Sequence, residues 1–205
     1  MLHSLQVRLL GAFDLRQGSE VIQGLDQPRL RELLAYLLLH RASPVSRQQL
    51  AFLFWPDSTE EQARTNLRNL WHRLRRTLPD ADWFLSAAEL TMQWRADSPC
   101  SLDVAEFEAC LSQARLATNS GAEAQYLAQA VAFYGGELLP GCYSDWLLAE
   151  RDRLAQAYGA ALERLAVLYE EGMEYPRAIG CAQALLRHDP LHEPARHVHR
   201  TTRVR

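Results

Sequence analysis

The spacing of apolar positions changes period along the chain, and each change predicts an element. In "LQVRLLGAFDLRQGSEVIQG", short alternating runs broken by glycines predict strands near 5–10, 12–16 and 20–23. From Leu30 the period turns helical. Leu30, Leu33, Leu34, Leu37 and Leu38 fall at i, i+3, i+4, i+7 and i+8, with Asp26 as the expected N-cap and Pro28 in the first turn. "RASPV" interrupts that stripe. Ser46 and Gln49 form an S-x-x-Q capping box, opening a second helix through Leu50, Leu53 and Phe54 that Pro56 stops. Ser58 and Glu61 repeat the device as S-x-x-E, which predicts a third helix over 59–78. After it, "WFLSAAELTMQWR" returns to two strand-like runs around residues 87–89, a β-hairpin.

The third predicted helix carries the stretch "ARTNLRNLWHRLRRTL". At 100° per residue, Ala63, Leu67, Leu70, Leu74 and Leu78 form one narrow apolar stripe with Trp71 at its edge. The opposite row holds Gln62, Thr65, Asn69, His72 and Arg76. Arg64, Arg68 and Arg75 flank it on one side, Asn66 and Arg73 on the other. A solvated outer face is the ordinary use of such residues. Solvated faces, however, mix signs, whereas residues 62–79 contain five arginines and no carboxylate. That face repels itself unless an anion neutralises it, which favours nucleic-acid contact. Arginine and asparagine are also the side chains that read guanine and adenine edges. A helix pair followed by a hairpin is the winged form of the helix-turn-helix, with the second helix of the pair in the major groove. The hairpin offers only Arg95 as a cation, so its own DNA contact is the weaker expectation.

From "SLDVAEFEACLSQARLA" onward the pattern is helical throughout. Helices are expected from Asp103, over about 122–134, from near Asp145 to Gly172, and over about 176–188. Leu162, Leu165, Ala166, Tyr169, Ala178, Leu185 and Pro190 sit at the offsets of a tetratricopeptide-like unit. A generic antiparallel helix pair fits one such unit equally well, and either makes this half an interaction or dimerisation module. The expected fold is therefore mostly α. A winged helix-turn-helix over 1–98, with a small N-terminal sheet, three helices and a C-terminal hairpin, precedes an all-α tetratricopeptide-like domain over 99–205.

Composition narrows the function. All 22 basic residues are arginine, and the formal charge is −3, so the chain does not coat nucleic acid indiscriminately. The first 97 residues carry 12 Arg against 11 Asp and Glu, the remainder 10 against 14, so the cations lie toward the front. Cys100, Cys110, Cys142 and Cys181 are widely spaced without a C-x-x-C pair and read as reduced thiols of a cytoplasmic protein. No apolar run approaches the roughly eighteen residues of a membrane span, and no export signal is expected. No phosphate loop, nucleophile elbow or metal-ligand spacing appears. Pro190 separates His188 from His192, and no enzyme, cofactor or metal site is expected.

Several stretches, in fixed order over about residues 5–195, resemble the SARP family of bacterial regulators (AfsR/DnrI-type). "LFWPD" with "ARTNLRNLWHRLRRTL" is similar to the family's OmpR-like winged-helix DNA-binding domain. "YGGELLPG" with "DW" and "ERDRL" is similar to the bacterial transcriptional activation domain that follows it. The resemblance implies an activator that binds double-stranded promoter DNA as two protomers on direct repeats and contacts RNA polymerase. Carried over by position, it implies that Thr65, Arg68, Asn69, His72 and Arg76 face the groove and that Arg64, Arg73 and Arg75 hold phosphates. Trp146, Glu150 and Arg151 match the second-domain motif and are expected to pack and pair, not to touch DNA. Family members continue through further repeat helices, yet His199 and Thr202 fall where an apolar face should continue, so either the second domain is truncated or its C-terminal end is expected to fray. The alternative is a protein-interaction scaffold whose winged-helix domain does not bind DNA.

Overall fold

The computed structural model describes residues 4–188. Pro190, His192, His199 and Thr202 lie outside the described residues. In chain order the elements are β1 (Leu5–Arg8), β2 (Asp14–Gln17), β3 (Glu20–Val21), α1 (Pro28–Leu39), β4 (Val45–Ser46), α2 (Arg47–Phe54), α3 (Glu60–Thr77), α4 (Ala81–Phe84), β5 (Leu85–Ala87), β6 (Thr91–Trp94) and β7 (Cys100–Leu102). The helices α5 (Asp103–Leu116), α6 (Ser120–Phe133), α7 (Asp145–Glu171) and α8 (Tyr175–His188) complete them. The fold is mostly helical, with small sheets confined to the first half. It divides into two compact units, one made of residues up to 103 together with 138–150, the other of 104–137 with 151 onward.

In the first unit, β1 alternates buried and exposed, with Leu5 and Val7 inward. It pairs antiparallel with β2, which turns into β3 through Gly18 at φ +60°, a left-handed turn that glycine takes without strain. On its other edge β1 pairs parallel with β7, giving the order β3-β2-β1-β7. Three residues long and without apolar alternation, this fourth strand has no signal of its own in the sequence. Beyond it, Asp103 is 9% exposed, and its Oδ2 accepts the backbone N–H groups of both Leu9 and Leu10 at 2.8 Å. Segment 138–150 returns to the same place, where Leu139 donates its N–H to the Leu9 carbonyl at 2.8 Å. Trp146 stands edge-on to Tyr36 with ring centroids 5.0 Å apart. Trp146 thus packs, as its motif implies.

The expected hairpin forms as β5 and β6, but β4 joins β6 to make a second sheet in the order β4-β6-β5. The expected start of α1 moves by one residue. Gln27 occupies the cap, Pro28 follows at the first helical position, and the Asp26 carboxylate instead lies 3.7 Å from Arg31.

In the second unit, Leu127, Ala161, Leu162, Leu165, Ala166, Leu168 and Leu185 form one buried cluster from α6, α7 and α8. Of the tetratricopeptide-like positions, Leu162, Leu165, Ala166, Ala178 and Leu185 are buried and Tyr169 is half-buried. Tyr134 and Tyr158 stack at 4.1 Å, and His188 stands edge-on to both. Arg164 grips Glu123 with two bonds of 2.6 and 2.8 Å, and this hydrogen bonding holds the Glu123 carboxyl below its ordinary pKa. Of the free thiols, Cys110, Cys142 and Cys181 are buried, and burial pushes Cys181 up to about 11. Among the described residues, no helix is long and apolar enough to cross a membrane, and no three metal-ligating side chains gather.

Replacing Asp103 by alanine leaves two buried N–H donors without an acceptor, so stability should fall by about 2–4 kcal/mol. Urea unfolding of the Asp103→Ala chain measures this, and Asp103→Asn, which keeps an acceptor oxygen, should recover part of the loss.

Candidate nucleic-acid interface

The candidate site is built on α3. Its start lies one residue after the expected cap. Ser58 closes a turn by donating its N–H to the Trp55 carbonyl at 3.2 Å, and Thr59 becomes the cap, accepting the Gln62 N–H on its hydroxyl at 3.3 Å. At Ser46 the expected cap forms, accepting from the Gln49 N–H at 3.4 Å. Glu60 and Glu61 in the first turn of α3, and Arg75 and Arg76 in the last, complement the helix dipole.

The apolar stripe seats the helix. Ala63, Leu67, Leu70, Trp71 and Leu74 are buried, with Leu74 fully so. Opposite them Arg64, Arg68, Asn69, His72, Arg73 and Arg76 are exposed, and Thr65 and Arg75 are half-buried. The structure therefore brings all eight candidate residues onto the open side of one helix. Two amides on that side already bond to each other, Gln62 Nε2 donating to Asn66 Oδ1 at 2.9 Å.

The expectation of a self-repelling, carboxylate-free face needs correction at both ends of α3. Arg64 pairs with Glu60 at 2.6 Å, one turn earlier, and Arg75 pairs with Asp82 of α4 at 2.5 Å. Both carboxylates lie outside residues 62–79 and escaped the count there. The Glu60 pair follows from i,i+4 spacing. The Asp82 pair depends on a chain reversal at Asp80, whose φ of +47° no local pattern announced. Among the described residues, Arg68, Arg73 and Arg76 have no carboxylate partner. The face that remains combines three unpaired guanidinium groups with an amide, a hydroxyl and an imidazole.

The hairpin is rigidly tied but poor in charge. Arg47, the first residue of α2, donates its N–H to the Leu90 carbonyl at 2.9 Å and its Nε to the Ala88 carbonyl at 3.1 Å. The tip presents Glu89 and an exposed Leu90, and Arg95 is paired with Asp97 at 3.4 Å. Phosphate contact thus has fewer resources here than on α3.

Residues 102–201 match the family model of the bacterial transcriptional activator domain. No curated protein matches the chain at a significant level. Among solved structures, the chain is similar to Mycobacterium tuberculosis EmbR in complex with a low-affinity phosphopeptide, with a TM-score of 0.56 at 19% identity. The alignment covers 98% of this chain and 65% of that one, so the chain spans about two thirds of that protein's solved length. At that identity the likeness concerns the fold, a winged helix-turn-helix followed by a helical domain.

The two sides of α3 should separate in measurement. Leu74→Ala should lower stability by about 2–5 kcal/mol. Asn69→Ala and Arg73→Gln, on the open side, should change it by no more than about 0.5 kcal/mol. Urea unfolding of the three variants tests this, and a large loss from Asn69→Ala would mean that the outer row is structural.

Proposed function

We propose that the whole chain, whose residues 102–201 match the family model of the bacterial transcriptional activator domain, is a sequence-specific, DNA-binding transcriptional activator. The observation that carries this reading is the open side of α3, with Arg68, Arg73 and Arg76 unpaired beside Thr65, Asn69 and His72. Helix α3 enters the major groove. Arg68, Asn69 and Arg76 are suited to base edges, since guanidinium and amide groups make bidentate contacts with guanine and adenine. Thr65 and His72 fill the same row with shorter donors. Arg73 holds a phosphate on one flank, and Arg64 and Arg75 hold phosphates on the other. The protein works in the cytoplasm, where its buried thiols stay reduced. Two protomers occupy direct repeats, and the helical domain joins them or meets RNA polymerase.

A groove of about 810 Å³ in the second unit favours a second reading. Leu162 and Leu165 of α7 form part of its lining, with Ala128 and Ala132 of α6 and Ala184 of α8. Such a groove suits a partner helix, and a scaffold that binds only protein would use it without any contact to DNA.

Selection of bound duplexes from a random pool by the full chain distinguishes the two. A recovered repeat supports the activator, whereas an unenriched pool together with salt-insensitive binding of a protein supports the scaffold. On a recovered site, Asn69→Ala or Arg76→Ala should each cost about 1–3 kcal/mol and relax preference at one base pair. Arg73→Gln should weaken all sequences alike and reduce the slope of log K against log[salt] by about 0.9.

A further inference from the structure

We propose that Glu60 and Asp82 are specificity-determining residues of this interface. Each withholds one end arginine of α3 from phosphate until the helix is fully seated on its own sequence. The inference rests on the DNA-binding reading above.

The two pairs are built alike at opposite ends of one flank. Arg64 Nη2 lies 2.6 Å from Glu60 Oε1, and Arg75 Nη2 lies 2.5 Å from Asp82 Oδ1. Eleven residues of helix separate the two arginines, about 16 Å at 1.5 Å per residue. Glu60 is held from a second side by Gln48 Nε2 at 3.3 Å. Asp82 is brought in by a separate element. After the left-handed turn at Asp80, α4 doubles back and sets Asp82 against the last turn of α3. Both carboxylates are open to an approaching polyanion, their side chains 60% and 82% exposed. They repel phosphate at the two points where the flanking cations would otherwise attract it.

Energetics decides when the pairs open. An exposed ion pair gains little over its separately hydrated partners, so each restraint is weak. On a duplex of the wrong sequence α3 docks loosely, and exchanging a fixed carboxylate for a distant phosphate gains nothing. The helix then presents Arg68, Arg73 and Arg76 alone. On the correct sequence, base-edge hydrogen bonds hold the helix at depth, the phosphates beside both ends come within reach, and the exchange becomes favourable. Glu60 and Asp82 therefore lower non-specific affinity more than specific affinity.

Salt dependence reads the number of neutralised phosphates directly. Three cations give a slope of about −2.7, so affinity for non-specific DNA falls about 40-fold between 50 and 200 mM salt. Five give about −4.5 and a fall of about 500-fold. The measurement uses the full chain and a labelled duplex of scrambled sequence, titrated by fluorescence anisotropy across that range. Glu60→Gln and Asp82→Asn should each steepen the non-specific slope by about 0.9, and the double variant by about 1.8. Adding Arg75→Gln to Asp82→Asn should cancel the increase, an outcome that a purely structural staple between α3 and α4 does not produce. Where Asp82→Asn disturbs α4, Glu60→Gln gives the same reading from a pair within one helix. Unchanged slopes in both variants, with DNA still bound, overturn this inference alone. If no duplex is bound at 50 mM salt by any form of the chain, the DNA-binding reading falls and takes the inference with it.

Discussion

The buried stripe of α3 is the constraint on which the rest of the first unit depends. A helix can present a row of donors in fixed geometry only if its opposite face is held, and Leu67, Leu70 and Leu74 hold it. The stripe is narrow, so close to half of the helix circumference stays open, and the residues there are free of packing duties. Polar side chains on that side contribute little to stability because water solvates them as well as any neighbour does. Their identity is then set by something other than the fold. A mixed-sign surface would serve solubility better than cations beside amides, and that mismatch gives the composition of the open face its meaning.

The same charges act in two directions at the ends of the helix. Glu60 and Glu61 stabilise the positive end of the α3 dipole, and Arg75 and Arg76 stabilise the negative end. Near a polyanion the first arrangement is adverse, because carboxylates stand where a groove-bound helix meets phosphate. Pairing Glu60 with Arg64 reconciles the two demands in the free protein by leaving a near-neutral end. The chain's overall charge of −3 is compatible with this, since binding depends on the local face and not on the sum.

Local signals were legible in the chain and non-local ones were not. The capping of α2 by Ser46 and the two faces of α3 follow from spacings within a single helix, and they appear where periodicity puts them. At Ser58 and Thr59, two adjacent hydroxyls could each cap α3. The choice fell to a turn hydrogen bond that spacing does not reveal. Strands β4 and β7 are two and three residues long and carry no alternation of their own; they exist because β6 and β1 offer an open edge. The partners of Arg64 and Arg75 divide on the same line, one at helical spacing and the other seven residues away across a left-handed turn. Periodicity found the candidate side chains. It could not tell which of them were already engaged.

The least legible feature is also the one that defines what the first unit is. Residues 138–150 belong to it although helices α5 and α6 intervene in the sequence. Bringing that segment back to Leu9 and Leu10 closes a long loop, and the entropy of that closure must be offset by what it buries. Leu138, Leu139, Cys142 and Leu147 are all buried there, and Trp146 packs edge-on to Tyr36 of α1. Asp103 adds two charge-assisted bonds to the same two backbone positions, so a short stretch after β1 is held by residues nearly a hundred and about one hundred and thirty positions away. A winged helix-turn-helix cut at the end of its hairpin loses both supports at once. Parts of the second domain's sequence signature, residues 138–141 and the Asp145–Trp146 pair, thereby become structural parts of the unit that presents α3.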